Sequence, residues 1–388
     1  MKWKVSAMRD AVIVEAVRSA HGKRNGTLSP VHPVDLMADV LSALIERAGL
    51  DPVLIDDVAI GCVTQLGDQS SNVARFAVLA AGWPHEIPGV TINRACGSSQ
   101  QALDYAVTAV LSGQSEIIIA GGVETMSRVP LGAARQMGMP YGPRVLARYD
   151  NFSFSQGISA ELIAQRWGLS RTQLDEFSVS SHRKAATAIS SGAFAGQIVP
   201  IDVDGVPFRV DEGVRPASSV EVLAGLKPSF SEDGVIHAGN SSQISDGAAA
   251  LLVMTSERAH ELGLTPIVRY RDGVAVGADP VLMLTGPIPA TQRLLKRTGV
   301  DLAEIGVYEV NEAFAPVPLA WLHDVGADPG KLNPLGGAIA LGHPLGASGA
   351  SLMTRMIYHM RDHGIRYGLQ TMCEGGGTAN ATLVELVA

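Results

Sequence analysis

Cysteine is scarce in this chain, and its few cysteines lie far apart. The 388 residues contain only Cys62, Cys96 and Cys373, with no Cys-x-x-Cys pair, and no histidine belongs to a His-Glu-x-x-His arrangement. Disulfide frameworks and structural zinc sites need closely spaced ligands, so we predict neither a disulfide-stapled fold nor a bound metal. Each cysteine is then a candidate for either a small core residue or a reactive thiol.

Basic charge and long apolar runs are also lacking. The formal net charge is −8, which argues against a nucleic-acid partner, although a local arginine cluster would be enough to hold an anionic small ligand. No uncharged stretch is long enough to cross a bilayer, and the first residues lack the apolar region of a secretory signal. We therefore expect a soluble cytoplasmic protein with no membrane partner.

The chain instead contains an internal repeat. Arg47 and Gly49 correspond to Arg297 and Gly299, an offset of 250 residues. In both copies a helix is predicted to end at the glycine, and an apolar run follows. A second apolar run in each copy, 117–120 and 369–373, leads into glycines that predict a turn. Apolar runs alternating with amphipathic helices predict a duplicated α/β domain whose sheets are covered on both faces.

The first copy is interrupted between Gly122 and Gly247. This segment has helical patterns over 160–167 and 174–190 and a turn-rich stretch over 203–239. No Ser/Gly/Pro-rich linker flanks it, which favours an inserted loop domain over an independent domain on a linker.

Cys96 precedes a predicted helix that ends at Gly113. Free N–H groups and the helix dipole at such a position stabilise a thiolate, so we predict a lowered pKa for this thiol. Gly97 would let a substrate approach closely. A buried structural cysteine is the alternative, and position alone does not decide between them.

His343 lies in a glycine-rich run, 333–349, that precedes another amphipathic helix. A lone histidine is usually structural, but the glycines on both sides favour a base held close to a ligand. Phosphate binding by the glycines is a rival interpretation, yet no Walker lysine accompanies them.

Cys373 and Asn311 each close a predicted strand. The glycines after Cys373 offer backbone N–H groups of the kind that form an oxyanion hole. The Asn311-Glu312 pair is typical of a site at a strand end, and a cap for the next helix is an equally good interpretation of Asn311 alone.

Together these motifs resemble the thiolase family over essentially the whole chain. The run 333–349 matches the pattern N-x-x-G-G-x-I-A-x-G-H-P-x-G-x-S-G completely, and the blocks Cys96-Gly97-Ser98-Ser99, Asn311-Glu312-Ala313-Phe314 and Cys373-x-Gly-Gly fit as well. The resemblance implies a duplicated αβαβα fold with mixed five-stranded sheets. It implies an N-terminal domain of 1–121 and 245–265, an inserted CoA-binding loop domain of 122–244 and a C-terminal domain of 266–388.

The resemblance also implies the chemistry. Cys96 would be the nucleophile that carries the acyl group, and His343 would accept its proton. Cys373 would be the acid/base at the α-carbon of acetyl-CoA. Asn311 would hold a water that forms one oxyanion hole with His343, and the N–H groups of Cys96 and Gly375 would form the other.

Coenzyme A enters as a substrate, and the resemblance implies no further cofactor. The loop-domain matches place Arg215 near the nucleotide, with a surface pairing of Arg215 with Asp211 or Glu212 as the alternative. The other implied contacts line the pantetheine: Phe230, Ala238, Ser242 and Phe314. The resemblance implies a homodimer or homotetramer that binds acyl-CoA thioesters.

Departures from the family pattern concern the substrate. Ser155-Gln156-Gly157 replaces the His-Met-Gly that is typical of biosynthetic acetoacetyl-CoA thiolases. The chain looks more like degradative thiolases of actinobacteria, including those of sterol side-chain breakdown. A ketoacyl synthase would show a Cys-His-His site, which Cys373 argues against, and a non-catalytic acyl-CoA carrier should lack one of the reactive residues. Acyl chain length, direction in the cell and partner enzymes stay open.

Overall fold

The computed structural model describes residues 9–387, which form twelve α-helices and thirteen β-strands within that range. The strands are β1 (Val12–Ser19), β2 (Gly22–Lys23), β3 (Asp57–Gly61), β4 (Val90–Ile92), β5 (Ile117–Thr125), β6 (Ile198–Val199), β7 (Ile201–Val203), β8 (Val206–Phe208), β9 (Ser245–Met254), β10 (Val268–Gly277), β11 (Ile305–Val310), β12 (Tyr367–Glu374) and β13 (Thr378–Leu386). The helices are α1 (Pro33–Ala48), α2 (Val73–Ala80), α3 (Ser98–Ser112), α4 (Pro143–Arg148), α5 (Gln156–Arg166), α6 (Arg171–Ser190), α7 (Val220–Ala224), α8 (Ser256–Glu261), α9 (Pro287–Thr298), α10 (Pro316–Val325), α11 (Ala338–Leu341) and α12 (Ser348–His363).

The repeat predicted from the sequence is present in the fold. Helices α1 and α9 each begin with a proline, whose fixed φ suits a first helical turn. They end at Gly49 and Gly299, with φ of 63° and 68°. Glycine adopts this left-handed conformation without a Cβ penalty, so it stops both helices at the same place. Each helix is followed by a buried strand, β3 or β11, as predicted.

Within residues 9–387, eleven strands form one mixed sheet built from two related halves, and β7 and β8 form a separate two-stranded sheet. The first half has the order β1-β9-β5-β3-β4, and the second has β10-β13-β12-β11. Strands β3, β4 and β5 pair in parallel, as do β11 and β12, while the other main pairings are antiparallel. The second half thus has four strands rather than the predicted five, because the equivalent of β4 is reduced to a single bridge between Tyr308 and Leu332. A short pairing of β1 with β10 joins the halves.

Helices cover both faces of these sheets and give the predicted αβαβα layering. Helices α1 and α2 pack on the outside of the first half, and α9 and α10 pack on the outside of the second. Helices α3 and α12 lie between the halves, and their buried side chains share one apolar core with strands of both. Helices α5 and α6 belong to the inserted segment, and α5 packs on α10 through a separate apolar cluster.

Glycines at the end of the second apolar run behave differently in the two copies. In the second copy β12 ends at Glu374, and Gly376 and Gly377 make a turn with φ of 87° and 79°, as predicted. In the first copy the predicted turn is wrong, because Gly121 and Gly122 lie inside β5. A Cβ on Gly122 would lie 2.7 Å from the carbonyl carbon of Gly346, so glycine is needed there for close approach of another segment.

Candidate active site

Cys96 is carried by a tight turn immediately before α3. Ala95 has a φ of 45°, a left-handed conformation that costs a non-glycine residue about 1–2 kcal/mol. Ser98 fixes this turn, since its Oγ accepts from Arg94 N at 2.9 Å and donates to Ala95 O at 2.6 Å. Asn93 Oδ1 accepts from Ala95 N at 2.9 Å. The strained turn therefore holds Cys96 in one place, two residues before the helix begins.

The thiol of Cys96 has a raised pKa, which makes the prediction of a lowered one wrong. Cys96 is only 4% exposed, and burial raises the pKa of its thiol to about 12, with the nearby Glu374 carboxyl adding to the rise. The side chain of Gln156 and the backbone N–H of Gly375 donate to the sulfur and act in the opposite direction, but burial outweighs them. Cys96 is therefore a thiol at neutral pH and needs a base when it attacks.

Cys373 lies near the end of β12 and is fully buried. Burial raises the pKa of its thiol well above the ordinary value, and the nearby Cys96 sulfur contributes to the same effect. The structure thus brings together Cys96, Cys373 and Gly375, although the two cysteines are far apart in sequence. By contrast, Cys62 is buried directly after β3.

His343 has one ring nitrogen that carries no proton. Ser348 Oγ donates to Pro344 O at 2.8 Å, so it accepts from His343 Nδ1–H, 2.6 Å away. This leaves the lone pair on Nε2, which accepts from the amide nitrogen of Asn311 at 3.4 Å. Burial lowers the pKa of His343 to about 4, so the ring is neutral at neutral pH. A neutral imidazole with its base on Nε2 is the form that general-base chemistry requires.

Asn311 follows β11 and does not cap a helix. The first residue before α10 is Ala315, and no side chain caps that helix, so the capping interpretation of Asn311 is wrong. Asn311 is 1% exposed, and among residues 9–387 its Oδ1 has no hydrogen-bond partner. A buried unpaired acceptor is costly, and it indicates that a water or substrate group completes the site.

The loop that carries His343 is bound to the half that carries Cys96. Glu124 accepts from Gly346 N at 2.9 Å, and Ser99 Oγ accepts from Ala350 N at 2.9 Å. Leu345 packs in the same small apolar cluster as Cys96. These contacts place the His343 loop against the N-terminal end of α3, so the histidine and the first cysteine lie at one seam between the halves.

Comparison with known proteins agrees with this geometry. Residues 11–257 match the N-terminal thiolase domain, and residues 264–386 match the C-terminal thiolase domain. The chain belongs to the thiolase family. It is 48% identical over 388 residues to a steroid 3-ketoacyl-CoA thiolase of Mycobacterium tuberculosis, covering 98% of this chain and 95% of that protein. It is 41% identical to a 3-ketoacyl-CoA thiolase of Bacillus subtilis and 42% identical to one of Escherichia coli, each covering 98% of this chain and 100% of the relative.

Family membership establishes a thiolase-type acyltransferase of α/β fold, as the sequence motifs indicated. Thiolases use coenzyme A as a substrate, and the described residues contain no cluster of side chains suited to a metal ion. None of the helices within residues 9–387 is long and apolar enough to cross a membrane.

Three of the residues matched to the pantetheine in this thiolase lie together. The rings of Phe230 and Phe314 meet edge-on with centroids 5.9 Å apart, and Ser242 N donates to Ala313 O at 2.9 Å. Phe314 is 8% exposed and Phe230 is 39% exposed, which gives the pair a buried side and an open side. Ala238 is exposed four residues before Ser242, on the same segment. The group therefore forms a rim where the inserted segment meets the second half.

Arg215 of the thiolase is exposed, and the alternative in which it pairs with a neighbouring carboxylate is wrong. Asp211 is buried and paired with Arg18 at 2.8 Å, and Glu212 accepts from Lys23 N and Thr27 N. Arg215 makes no ion pair within residues 9–387, and its backbone N–H donates to His182 Nδ1 at 3.1 Å. Its guanidinium is thus available to an anionic ligand.

Sequence reasoning missed three residues of the site. Gln156 appeared only as a departure from the family pattern, yet it donates to Cys96. Ser348 fixes the tautomer of His343, and its signal was a hydroxyl at the start of the helix that follows the histidine. Glu374 contacts the segment that carries Cys96. The sequence feature that could have pointed to it is a carboxylate between a reactive cysteine and a glycine turn.

Proposed function

We propose that this thiolase cleaves 3-ketoacyl-CoA with free CoA, giving acetyl-CoA and a shortened acyl-CoA, in fatty-acid or other lipid degradation. The observation that carries the proposal is the convergence of Cys96, Cys373 and Gly375 at the seam where His343 has an unprotonated Nε2. The names of the relatives in three bacteria support the choice of 3-ketoacyl-CoA as substrate class.

In the proposed first step, the Cys96 sulfur attacks the 3-keto carbon while His343 Nε2 accepts the thiol proton. Because burial keeps Cys96 protonated and His343 neutral, proton transfer accompanies the attack rather than preceding it. The bond between C2 and C3 then breaks, the acyl group stays on Cys96, and Cys373 gives its proton to the C2 carbanion of acetyl-CoA. In the second step the CoA thiol gives its proton to Cys373 and its sulfur attacks the thioester, the Cys96 sulfur leaves, and His343 returns the proton to it.

Two sets of donors are available for the oxyanions of these steps. The N–H groups of Cys96 and Gly375 both point at the Cys96 sulfur and would bind the oxygen of the acyl-enzyme. Asn311 would hold a water through its unpaired Oδ1, and that water would form the second oxyanion hole with His343.

We propose that the segment 122–244 binds CoA. Phe230, Ala238, Ser242 and Phe314 would line the pantetheine, and the exposed Arg215 would contact a phosphate through its planar guanidinium. We also propose that the enzyme acts in the cytoplasm as a homodimer or homotetramer, which size-exclusion chromatography with light scattering would decide.

The replacement of His-Met-Gly by Ser155-Gln156-Gly157 favours degradation over biosynthesis of acetoacetyl-CoA. Gln156 lies against both Cys96 and Gly375, with its Nε2 3.4 Å from where a Gly375 Cβ would be. It therefore changes the shape of the site where the acyl group binds. Because one relative carries the name of a steroid thiolase, the substrates to test extend from acetoacetyl-CoA through long chains to steroid acyl-CoA esters.

A thiolysis assay on that substrate panel tests the function. We expect loss of 3-ketoacyl-CoA absorbance on addition of CoA, abolition of acyl-enzyme formation in Cys96→Ser, and slow acylation without C2 proton transfer in Cys373→Ala. Full synthesis activity in Cys373→Ala would refute the acid/base role. Absence of turnover on every substrate would instead favour a non-catalytic acyl-CoA carrier.

A further inference from the structure

A buried carboxyl group that the proposed chemistry does not use lies directly behind the nucleophile. Glu374 is fully buried at the end of β12, next to Cys373. A Cβ on Gly97 would lie 2.7 Å from its carboxyl carbon, so Glu374 occupies the space where Gly97 lacks a side chain. Because Gly97 adjoins Cys96, a movement of this carboxyl would shift the turn that carries the nucleophile.

The hydrogen bonds around Glu374 are incomplete for a carboxylate. Its Oε2 accepts from Thr378 Oγ1 at 2.6 Å, but its Oε1 has no partner among the described residues. Asn380 Oδ1 is likewise buried without a partner, and it would lie 3.2 Å from the same Cβ on Gly97. The amide nitrogen of Asn380 already donates to Asp104 Oδ2 at 2.9 Å, so the amide cannot simply turn over. Two buried acceptors without partners thus lie beside the position of a Gly97 Cβ, and a proton on Glu374 would supply a donor there.

We propose that Glu374 is a positioning residue that acts in its protonated form, supporting Gly97 and sharing its proton with Asn380, and that loss of this proton weakens the Cys96 nucleophile. Burial raises the pKa of Glu374 to about 7 and the Asp104 carboxyl adds to the rise, while hydrogen bonds from Thr378 and from the Asn380 backbone N–H and the charge of Arg94 oppose it. Glu374 in turn raises the pKa of both Cys96 and Cys373. The inference rests on the proposed role of Cys96 as the nucleophile.

The charged groups that face Glu374 act on it in opposite directions, since Arg94, whose Nε has no partner among the described residues, favours the ionised carboxyl and Asp104 favours the protonated one. The titratable groups around Glu374 are Arg94 before α3, Cys96 itself, Asp104 on α3 and Cys373 on β12. Asp104 also accepts from Tyr270 at 2.6 Å, so it is better supplied with donors than Glu374. Of the two carboxyl groups, Glu374 holds a proton more readily, because its pKa is about 7 and that of Asp104 is about 6.

The test is the rate of alkylation of Cys96 by iodoacetamide between pH 6 and 9, read by mass spectrometry of the Cys96 peptide. In the wild type, reactivity should rise with pH and then flatten as Glu374 ionises. In Glu374→Gln, an isosteric side chain that stays neutral, the rise should continue, and alkylation above pH 8 should be about tenfold faster, the change expected for one pKa unit. Glu116→Gln removes an exposed carboxylate in the same half and should behave as the wild type.

A second variant keeps Glu374 and changes its donor. Thr378→Val removes the hydrogen bond that favours the ionised carboxyl, so the flattening should move to higher pH. A profile of Glu374→Gln that overlays the wild type, a loss of reactivity at every pH in that variant, or an unshifted profile in Thr378→Val would overturn the proposal. Because alkylation needs no acyl-CoA, this result is independent of whether 3-ketoacyl-CoA turnover is found.

Discussion

Replacing Gly122 by alanine should misplace the His343 loop without removing any reactive group. Gly122 lies in β5, and a Cβ there would lie 2.7 Å from both the carbonyl carbon of Gly346 and the Cβ of Ser99. Carbon atoms pack at about 3.5–4.0 Å, so the Gly346 segment must move by roughly 1 Å. Misplacement of that size costs about 10²-fold in rate, and overpacking costs about 1–3 kcal/mol of stability.

The measurement is kcat/KM for thiolysis together with the unfolding transition. Gly277→Ala is the matched control, because Gly277 also lies in a strand, β10, but a Cβ there meets nothing within 4 Å. We expect the control to keep wild-type activity and Gly122→Ala to lose about two orders of magnitude while remaining folded. If folded Gly122→Ala had wild-type kcat/KM, close contact between β5 and the Gly346 segment would not be what positions His343.

Two further predictions follow from buried histidines. Ser348→Ala removes the acceptor that fixes the His343 tautomer, and we expect kcat/KM to fall about fivefold to tenfold, the equivalent of one hydrogen bond, with no change in the rate of Cys373 alkylation. Burial lowers the pKa of His21 to about 3, so as the pH falls the unfolded chain binds a proton at this residue before the folded chain does. The free energy of unfolding should therefore fall as pH drops from about 6.5 toward 3, by at most about 1.4 kcal/mol per pH unit for this group. In His21→Asn the difference in urea stability between pH 7 and pH 5 should shrink, and an unchanged difference would contradict this assignment.

The duplicated fold could be predicted from the sequence because its signals are local. Gly49 and Gly299 stop equivalent helices, and the apolar runs that follow become buried strands. The glycines at 121 and 122 misled the prediction for a physical reason. A glycine required by the close approach of a segment distant in sequence looks the same in one chain as a glycine required by a turn.

The candidate site could be predicted in its residue types but not in its electrostatics. The motifs pointed to Cys96, His343, Asn311 and Cys373, and the structure places the two cysteines together and His343 beside Asn311. The raised pKa of Cys96 could not be anticipated, because burial depends on how β12 and the His343 loop close over the turn. The same holds for Gln156, whose position next to the sulfur is set by the packing of the inserted segment.

The short junction between β1 and β10 has a mechanical consequence. It pairs only Val12 with Arg269 and Ile13 with Val268, so the sheet alone cannot fix the angle between the halves. That angle is set by the two central helices, where a Cβ on Gly349 would lie 2.8 Å from that of Gln100. Bulk added at this crossing should tilt one half against the other and separate imidazole from thiol while each half keeps its own core. Such a variant would lose activity, although its unfolding temperature would stay close to that of the wild type.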